Sequence, residues 1–174
     1  TSASVNWAAP YDNGSALTAY RVDILNLVNG QGNGQWLTLT TTTPAVLTNT
    51  HFSLQTNTEY QYRVIATNAY GSTTSAAQAI TTFALPPTLT ATATSGTTLD
   101  LSWNAVSGSP TYNIYSSSNN SNFILEQAGI TAATYQDTGL ALGQTVYYKV
   151  SVTNAAGESA QSTSVSATTN SIAD

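Results

Sequence analysis

Apolar and polar residues alternate over short runs along this chain. Val5 and Trp7 fall on one face of Ser4–Trp7, Tyr20, Val22 and Ile24 on one face of the next apolar run, and Leu99, Leu101 and Trp103 on one face of a third. A period of two marks a strand with one buried face. Thr, Val, Tyr and Ile dominate these runs, as pleated surfaces favour, and clusters of Gly, Asn, Ser and Pro separate them. No segment holds helical spacing for three turns. The pattern predicts an all-β protein.

An internal repeat sets the number of domains. Tyr60–Ser72 (YQYRVIATNAYGS) and Val146–Ser159 (VYYKVSVTNAAGES) both run from an alternating strand into Thr-Asn-Ala-x-Gly, and Asn68 and Asn154 lie 154 − 68 = 86 positions apart. That spacing is the size of one small sandwich. Between the copies stands Pro86-Pro87, where fixed φ angles and absent amide donors stop a central strand. The reading is a first domain over residues 1–83, a second over 84–170 and a short tail over 171–174. The linker is expected to be short and stiff, with the two units end to end.

Composition narrows the chemistry. The 174 residues are 41% hydrophobic, enough for a packed core, and only 6% charged. Three basic residues against eight acidic ones, net −5, give no electrostatic footprint for nucleic acid or an anionic membrane. The absence of cysteine removes disulfides, thiol nucleophiles and cysteine metal sites. No apolar run is long enough to span a bilayer. The start at Thr1 rather than Met is read as that of a processed or excised piece.

Here the residues carry a resemblance. A strand with Trp7, then Pro10-x-Asp12-Asn13-Gly14-Ser15-x-Leu17-Thr18-x-Tyr20-Arg21-Val22, a later Trp36, and the Leu54 to Gly71 run with Tyr60, Tyr62 and Asn68 resemble the fibronectin type III domain over nearly all of residues 1–82. The stretch from Leu99 to Ser159 resembles the form common in bacterial extracellular proteins. The resemblance implies two seven-stranded, two-sheet immunoglobulin-like sandwiches in tandem. It places Trp7 and Trp103 on the second strands at the centre of each core, where truncation to Ala is expected to cost about 3–5 kcal/mol. It makes Leu54 and Tyr60 a tyrosine corner with Tyr20 among the core residues. The second unit has Val146 in place of the corner tyrosine, so alternation sends Tyr147 outward and Tyr148 inward.

The candidate sites are sparse. Asp12-Asn13-Gly14-Ser15 is open to a metal, a sugar or a bend. The bend is preferred, because Asn and Gly tolerate positive φ and the alternating ligands and closing Glu of a calcium loop are missing. Asn29–Gln35 is read as a hairpin connection. His51 is the sole histidine and is read as a surface residue. The carboxylates Asp12, Asp23, Glu59, Asp100, Glu126 and Asp137 are scattered over strands and loops rather than paired across a cleft. No catalytic residue, metal site or cofactor is assigned, and the chain is read as not an enzyme. Tyr11 and Tyr70 are the loop aromatics expected to project from one end of the first domain as contact residues. Asn13 and Asn119 head sequons in predicted loops and are candidate glycosylation sites. The integrin tripeptide of the family is absent.

Only six residues precede Trp7, whereas a full strand fits before Trp103. The first domain therefore lacks its opening strand. Either upstream residues are not included, or a neighbouring copy supplies the strand, as in strand-complemented filaments. The leading functional expectation is a non-catalytic spacer pair in an extracellular or cell-surface fibre, adhesin stalk or phage appendage. Its partners would be other domains of the same or a neighbouring chain, with homo-oligomer or filament assembly by strand complementation. The alternatives are an accessory region of a secreted polysaccharide-degrading enzyme and a carbohydrate- or protein-binding module.

Overall fold

A computed structural model describes residues 1–27, 35–108 and 110–172. Among these every regular element is a strand, and the chain divides into two compact units, Thr1–Thr82 and Phe83–Asp174. Of the Asn29–Gln35 connection, residues 29–34 lie outside the described residues.

The first unit runs β1 (Ala3–Asn6), β2 (Leu17–Leu27), β3 (Leu37–Thr42), β4 (Thr48–His51), β5 (Glu59–Asn68), β6 (Gly71–Thr74) and β7 (Gln78–Thr81). β1 pairs with β4 as a two-stranded sheet. The other sheet has the order β3-β2-β5, with β6 and β7 both on the far side of β5. The antiparallel register sets Val22 opposite Val64 and Ile24 opposite Tyr62. Directly opposed residues share a face, so these side chains meet Ala3, Val5, Trp7, Leu54 and Tyr60 in one core.

The second unit adds the strand that the first lacks. β8 (Leu89–Ala93), β9 (Thr98–Trp103) and β12 (Thr134–Thr138) form one sheet in the order β12-β9-β8. The other has β11 (Ile124–Ile130), β10 (Thr111–Ser117) and β13 (Thr145–Asn154), edged by the fragments β14 (Gly157–Glu158) and β15 (Val165–Thr168). Leu99, Leu101, Ile114, Tyr148, Val150 and Val152 are almost wholly excluded from water.

Both units break the last strand in the same way. The Ser75 Oγ accepts from Val64 N–H and donates to Ala76 C=O, and Ser162 does the same for Val150 and Thr163. A short hydroxyl side chain stands in for the ladder where the edge kinks.

The tryptophans differ between the copies. Trp103 is the last residue of β9 and 7% exposed. Trp7 lies one residue past β1 and is only half-buried, so the expectation that it fills its core as Trp103 does is corrected. Its backbone is placed alike, with N–H donating to Leu47 C=O at 3.1 Å as Trp103 donates to Ala133. The cause is the neighbouring strand: Leu89 and Ala91 of β8 pack in the second core, and β1 has β4 as its one sheet partner.

Candidate functional site

The first unit presents two aromatic rings at one end. Asp12 C=O accepts from Ser15 N–H at 3.1 Å, Asn13 and Gly14 take φ of 53° and 80°, and Asp12 Oδ1 accepts from Gly14 N–H. Two successive positive φ angles closed by an i to i+3 bond make a tight turn. Opposite it, β5 turns into β6 through Ala69-Tyr70, closed by the Asn68–Gly71 pair with Gly71 at φ 143°. Asn68 ties the two loops together, because its Nδ2 donates to Asp12 C=O at 3.1 Å and Ser15 C=O at 3.3 Å while its Oδ1 accepts from Tyr70 N–H. Tyr11 and Tyr70, 85% and 84% exposed, border a shallow groove of about 250 Å³ with Pro10, Leu17 and Thr73. Exposed phenol rings over hydroxyl and amide groups suit stacking on the apolar face of a neutral ligand. The second unit carries Ala156 where Tyr70 stands, with the same Asn154 Oδ1 bond to the backbone, so the aromatic end belongs to the first unit.

The sequon residues are both on loops and exposed. Asn13 is in the tight turn, and the Asn119 Oδ1 accepts from Ser121 and Asn122 N–H.

His51 corrects one expectation. It is half-buried rather than a surface residue. Its ring meets Tyr60 and Tyr62 edge-on at 6.2 and 6.1 Å, its Nδ1 lies 3.1 Å from Tyr62 Oη, and burial pushes its pKa down. Burial, then Tyr60, pushes the Tyr62 phenol up to about 12. The group within hydrogen-bonding reach of the imidazole is therefore a neutral phenol rather than a serine, and this is core chemistry. In the second unit Asp137, eleven residues before Tyr148 as His51 is before Tyr62, takes the corresponding position and accepts from Tyr148 Oη at 2.5 Å. Burial first, and that bond next, push the Tyr148 phenol up.

The remaining charges are spent on the sheets. Asp23, buried, accepts from Arg21, Arg63 and Thr38, and Arg63 lies 4.3 Å over the Trp36 ring. Lys149 over Phe123 repeats that stack in the second unit. Glu126 accepts from Ser116 and Asp100 from Gln136. Hydrogen bonds from Ser151, Tyr115 and Asn113 hold Glu158 below the usual carboxylate range. Among the described residues no group of three His, Asp or Glu comes together.

Of the core residues singled out from sequence, Tyr20, Leu54, Tyr60 and Trp103 are buried and Trp7 is half-buried. Tyr60 Oη accepts from Gln55 N–H at 3.0 Å, beside buried Leu54, making the tyrosine corner. Tyr20 stacks edge-on against Trp7 at 5.6 Å as Tyr112 does against Trp103 at 5.3 Å. Sequence reasoning missed what the Tyr20 hydroxyl meets. Val106 N–H donates to Tyr112 Oη, whereas the residue three after Trp7 is Pro10, which has no N–H, and the buried Tyr20 Oη is left without a partner. Pro10 stands in the sequence, but its link to Tyr20 is made only by the fold.

The sequence model of the fibronectin type III domain matches residues 1–82. A solved Fn3-like protein from Clostridium thermocellum is 30% identical, with the match covering 52% of this chain and all of that one (TM-score 0.45). Residues 1–82 belong to the fibronectin type III family. The chicken CNTN1 FN1-FN3 domains are 20% identical over 97% of this chain and 62% of theirs (TM-score 0.43). A poly(3-hydroxybutyrate) depolymerase from Ralstonia pickettii is 40% identical over 87 residues, which is 49% of this chain and 17% of that protein. The chain thus spans less than a fifth of the curated relative that it matches. In fibronectin type III terms β8, β9 and β12 form one sheet of the second sandwich, and the first sandwich has counterparts of β9 and β12 alone.

Proposed function

We propose that this tandem of fibronectin type III sandwiches is a non-catalytic spacer within a larger extracellular protein, holding neighbouring modules apart and presenting the Tyr11–Tyr70 end for contact. The observation that carries this reading is the employment of the reactive groups: His51 is packed on tyrosines, Asp23 on two arginines and Asp137 on Tyr148. Each therefore serves its own core or sheet. A surface fibre, adhesin stalk or appendage accommodates such a pair.

A second reading is favoured by one observation. A fibronectin-sized segment of a poly(3-hydroxybutyrate) depolymerase is 40% identical to half of this chain, which supports an accessory region of a polymer-degrading enzyme, here a polyester rather than a polysaccharide. One experiment tests both readings. The purified chain is incubated with insoluble poly(3-hydroxybutyrate), cellulose and chitin, and soluble product and pelleted protein are measured. The spacer reading expects neither. Product release overturns it, and co-sedimentation with one polymer that Tyr11→Ala and Tyr70→Ala abolish establishes the accessory reading.

A further inference from the structure

Two Asn-x-Ser sequences stand on loops, and the fold treats them differently. The turn that carries Asn13 is closed by its neighbours. Asp12 Oδ1 accepts from Gly14 N–H, Asp12 C=O accepts from Ser15 N–H and Asn68 Nδ2, and Ser15 C=O accepts from the same Asn68 nitrogen. None of these bonds uses the Asn13 side chain, and the residue is exposed. At φ 53° it takes the left-handed conformation that asparagine tolerates. Its neighbour Gly14 has open space on the side where a Cβ would stand. In the second unit Asn119 closes its own loop: its Oδ1 accepts from Ser121 N–H, Asn122 N–H and the hydroxyl of buried Ser117.

The surroundings differ as well. Asn13 borders the shallow groove whose sides are Tyr11 and Tyr70, and the hydroxyl residues Ser72 and Thr73 border it too. Tyr11 is two positions before Asn13, and Asn68 fixes both loops. Among the described residues no charged side chain lines this groove. The second unit folds with Ala156 where Tyr70 stands, so the exposed Tyr70 ring is not a demand of the fold. No aromatic residue lies within two positions of Asn119, and the nearby Phe123 ring is covered by Lys149. The Tyr11–Tyr70 groove thus suits a neutral, hydroxylated occupant with an apolar face. A groove this open gives a free sugar few contacts to offset the freedom lost on association, whereas a sugar already joined to Asn13 loses little more by lying on the rings.

We infer that Asn13 is a glycan attachment site whose first sugar lies on Tyr11 and Tyr70, so that the aromatic end of the first unit is a platform for carbohydrate carried by the chain itself. Attachment is a substitution at the anomeric carbon of an oligosaccharide linked to a lipid diphosphate. Asn13 Nδ2 forms the new C–N bond and loses a proton, the C–O bond breaks, and the lipid diphosphate leaves with the electron pair. Ser15 supplies the hydroxyl that the transfer requires two residues on. The apolar face of the pyranose then meets the phenol rings, and its hydroxyl edge meets Ser72 and Thr73. This goes beyond the spacer reading and rests on it only for passage of the chain along an export route that holds the transferase.

The test uses the whole 174-residue chain, secreted from cells that transfer glycans to Asn-x-Ser and trimmed enzymatically to the first N-acetylglucosamine. Ser15→Ala is the bare reference, because the turn uses only the backbone of Ser15. Peptide mass spectrometry is expected to find the sugar on Asn13. Its ring protons should move upfield in the NMR spectrum, and the first unit should unfold at least threefold more slowly than in Ser15→Ala. A sugar on Asn119 should show neither effect. Tyr11→Ala and Tyr70→Ala leave the turn's hydrogen bonds in place, so each should keep the sugar and lose most of the shift and of the slowing. Three results overturn the inference: a secreted chain with Asn13 bare, a sugar on Asn13 with unshifted protons and unchanged unfolding, and effects that survive both tyrosine variants. The spacer reading fails separately, through product release or polymer binding by the sugar-free chain.

Discussion

The two tyrosines that meet Trp7 and Trp103 edge-on have different hydrogen bonds. Tyr112 Oη receives Val106 N–H at 2.8 Å, and Tyr20 Oη receives nothing. Removing a hydroxyl that is satisfied also strands its donor, whereas removing an orphan relieves a buried polar group. Tyr112→Phe is therefore expected to cost the second unit about 1–2 kcal/mol, and Tyr20→Phe to leave the first unit unchanged or more stable. Urea unfolding of each variant measures the difference, and equal losses would contradict the assignment. The same scale shows what could be read early. Pro10 is visible in the sequence, but that its missing amide matters required knowing that Tyr20 points at it. The tyrosine corner, by contrast, was legible, because the spacing from Leu54 to Tyr60 is local.

At the scale of strands, charge and burial meet on β2, β4 and β5. Asp23 sits opposite Arg63 in the β2–β5 register and two residues from Arg21 on its own strand. The guanidinium of Arg21 is nearly half in water, which weakens its share. Asp23→Asn leaves both arginines short of an anion over a buried amide and is expected to cost about 2 kcal/mol, read as a lower urea midpoint for the first unit. His51 on β4 gives a pH signature. Burial lowers its pKa in the folded unit below the 6.5 of the free side chain, so the unfolded chain takes up the proton more readily. Stability is full above pH 6.5 and falls as acid is added, until the folded imidazole is itself protonated. Tyr62, whose phenol is pushed up to about 12, faces the ring and stays neutral over this range, so His51→Gln should flatten the first unit's melting temperature between pH 7.5 and 5. A slope that persists in the variant would place the titrating group elsewhere. The strands themselves were predictable from alternation. The partner of a side chain across two strands was not, because register brings together residues such as Asp23 and Arg63 that are 40 positions apart.

For the whole molecule the consequence is unequal stability. The second unit has a three-stranded sheet against its five-stranded one, and the first a two-stranded sheet in that place. Less apolar surface is therefore withdrawn from water in the first unit. Calorimetry should show two transitions, the first unit melting earlier. Trp103→Ala should cost the later transition about 3–5 kcal/mol, while Trp7→Ala costs the earlier one less, since a half-exposed ring loses less on truncation. A single transition, or equal losses at the two tryptophans, would contradict this account.

Alternation, the repeated Thr-Asn-Ala-x-Gly and the proline pair determined on their own that the chain is all-β and built of two repeated units, because the period of side chains along a strand and the φ of proline are properties of neighbouring residues. Only the tertiary structure decided that Trp7 is half-buried where Trp103 is buried, that Asn68 draws Tyr11 and Tyr70 to one end, and that His51 and Asp137 partner the equivalent tyrosines, Tyr62 and Tyr148, of the two units. Those facts depend on strand register and on how two sheets face each other, and packing between residues distant in the chain is what sets both.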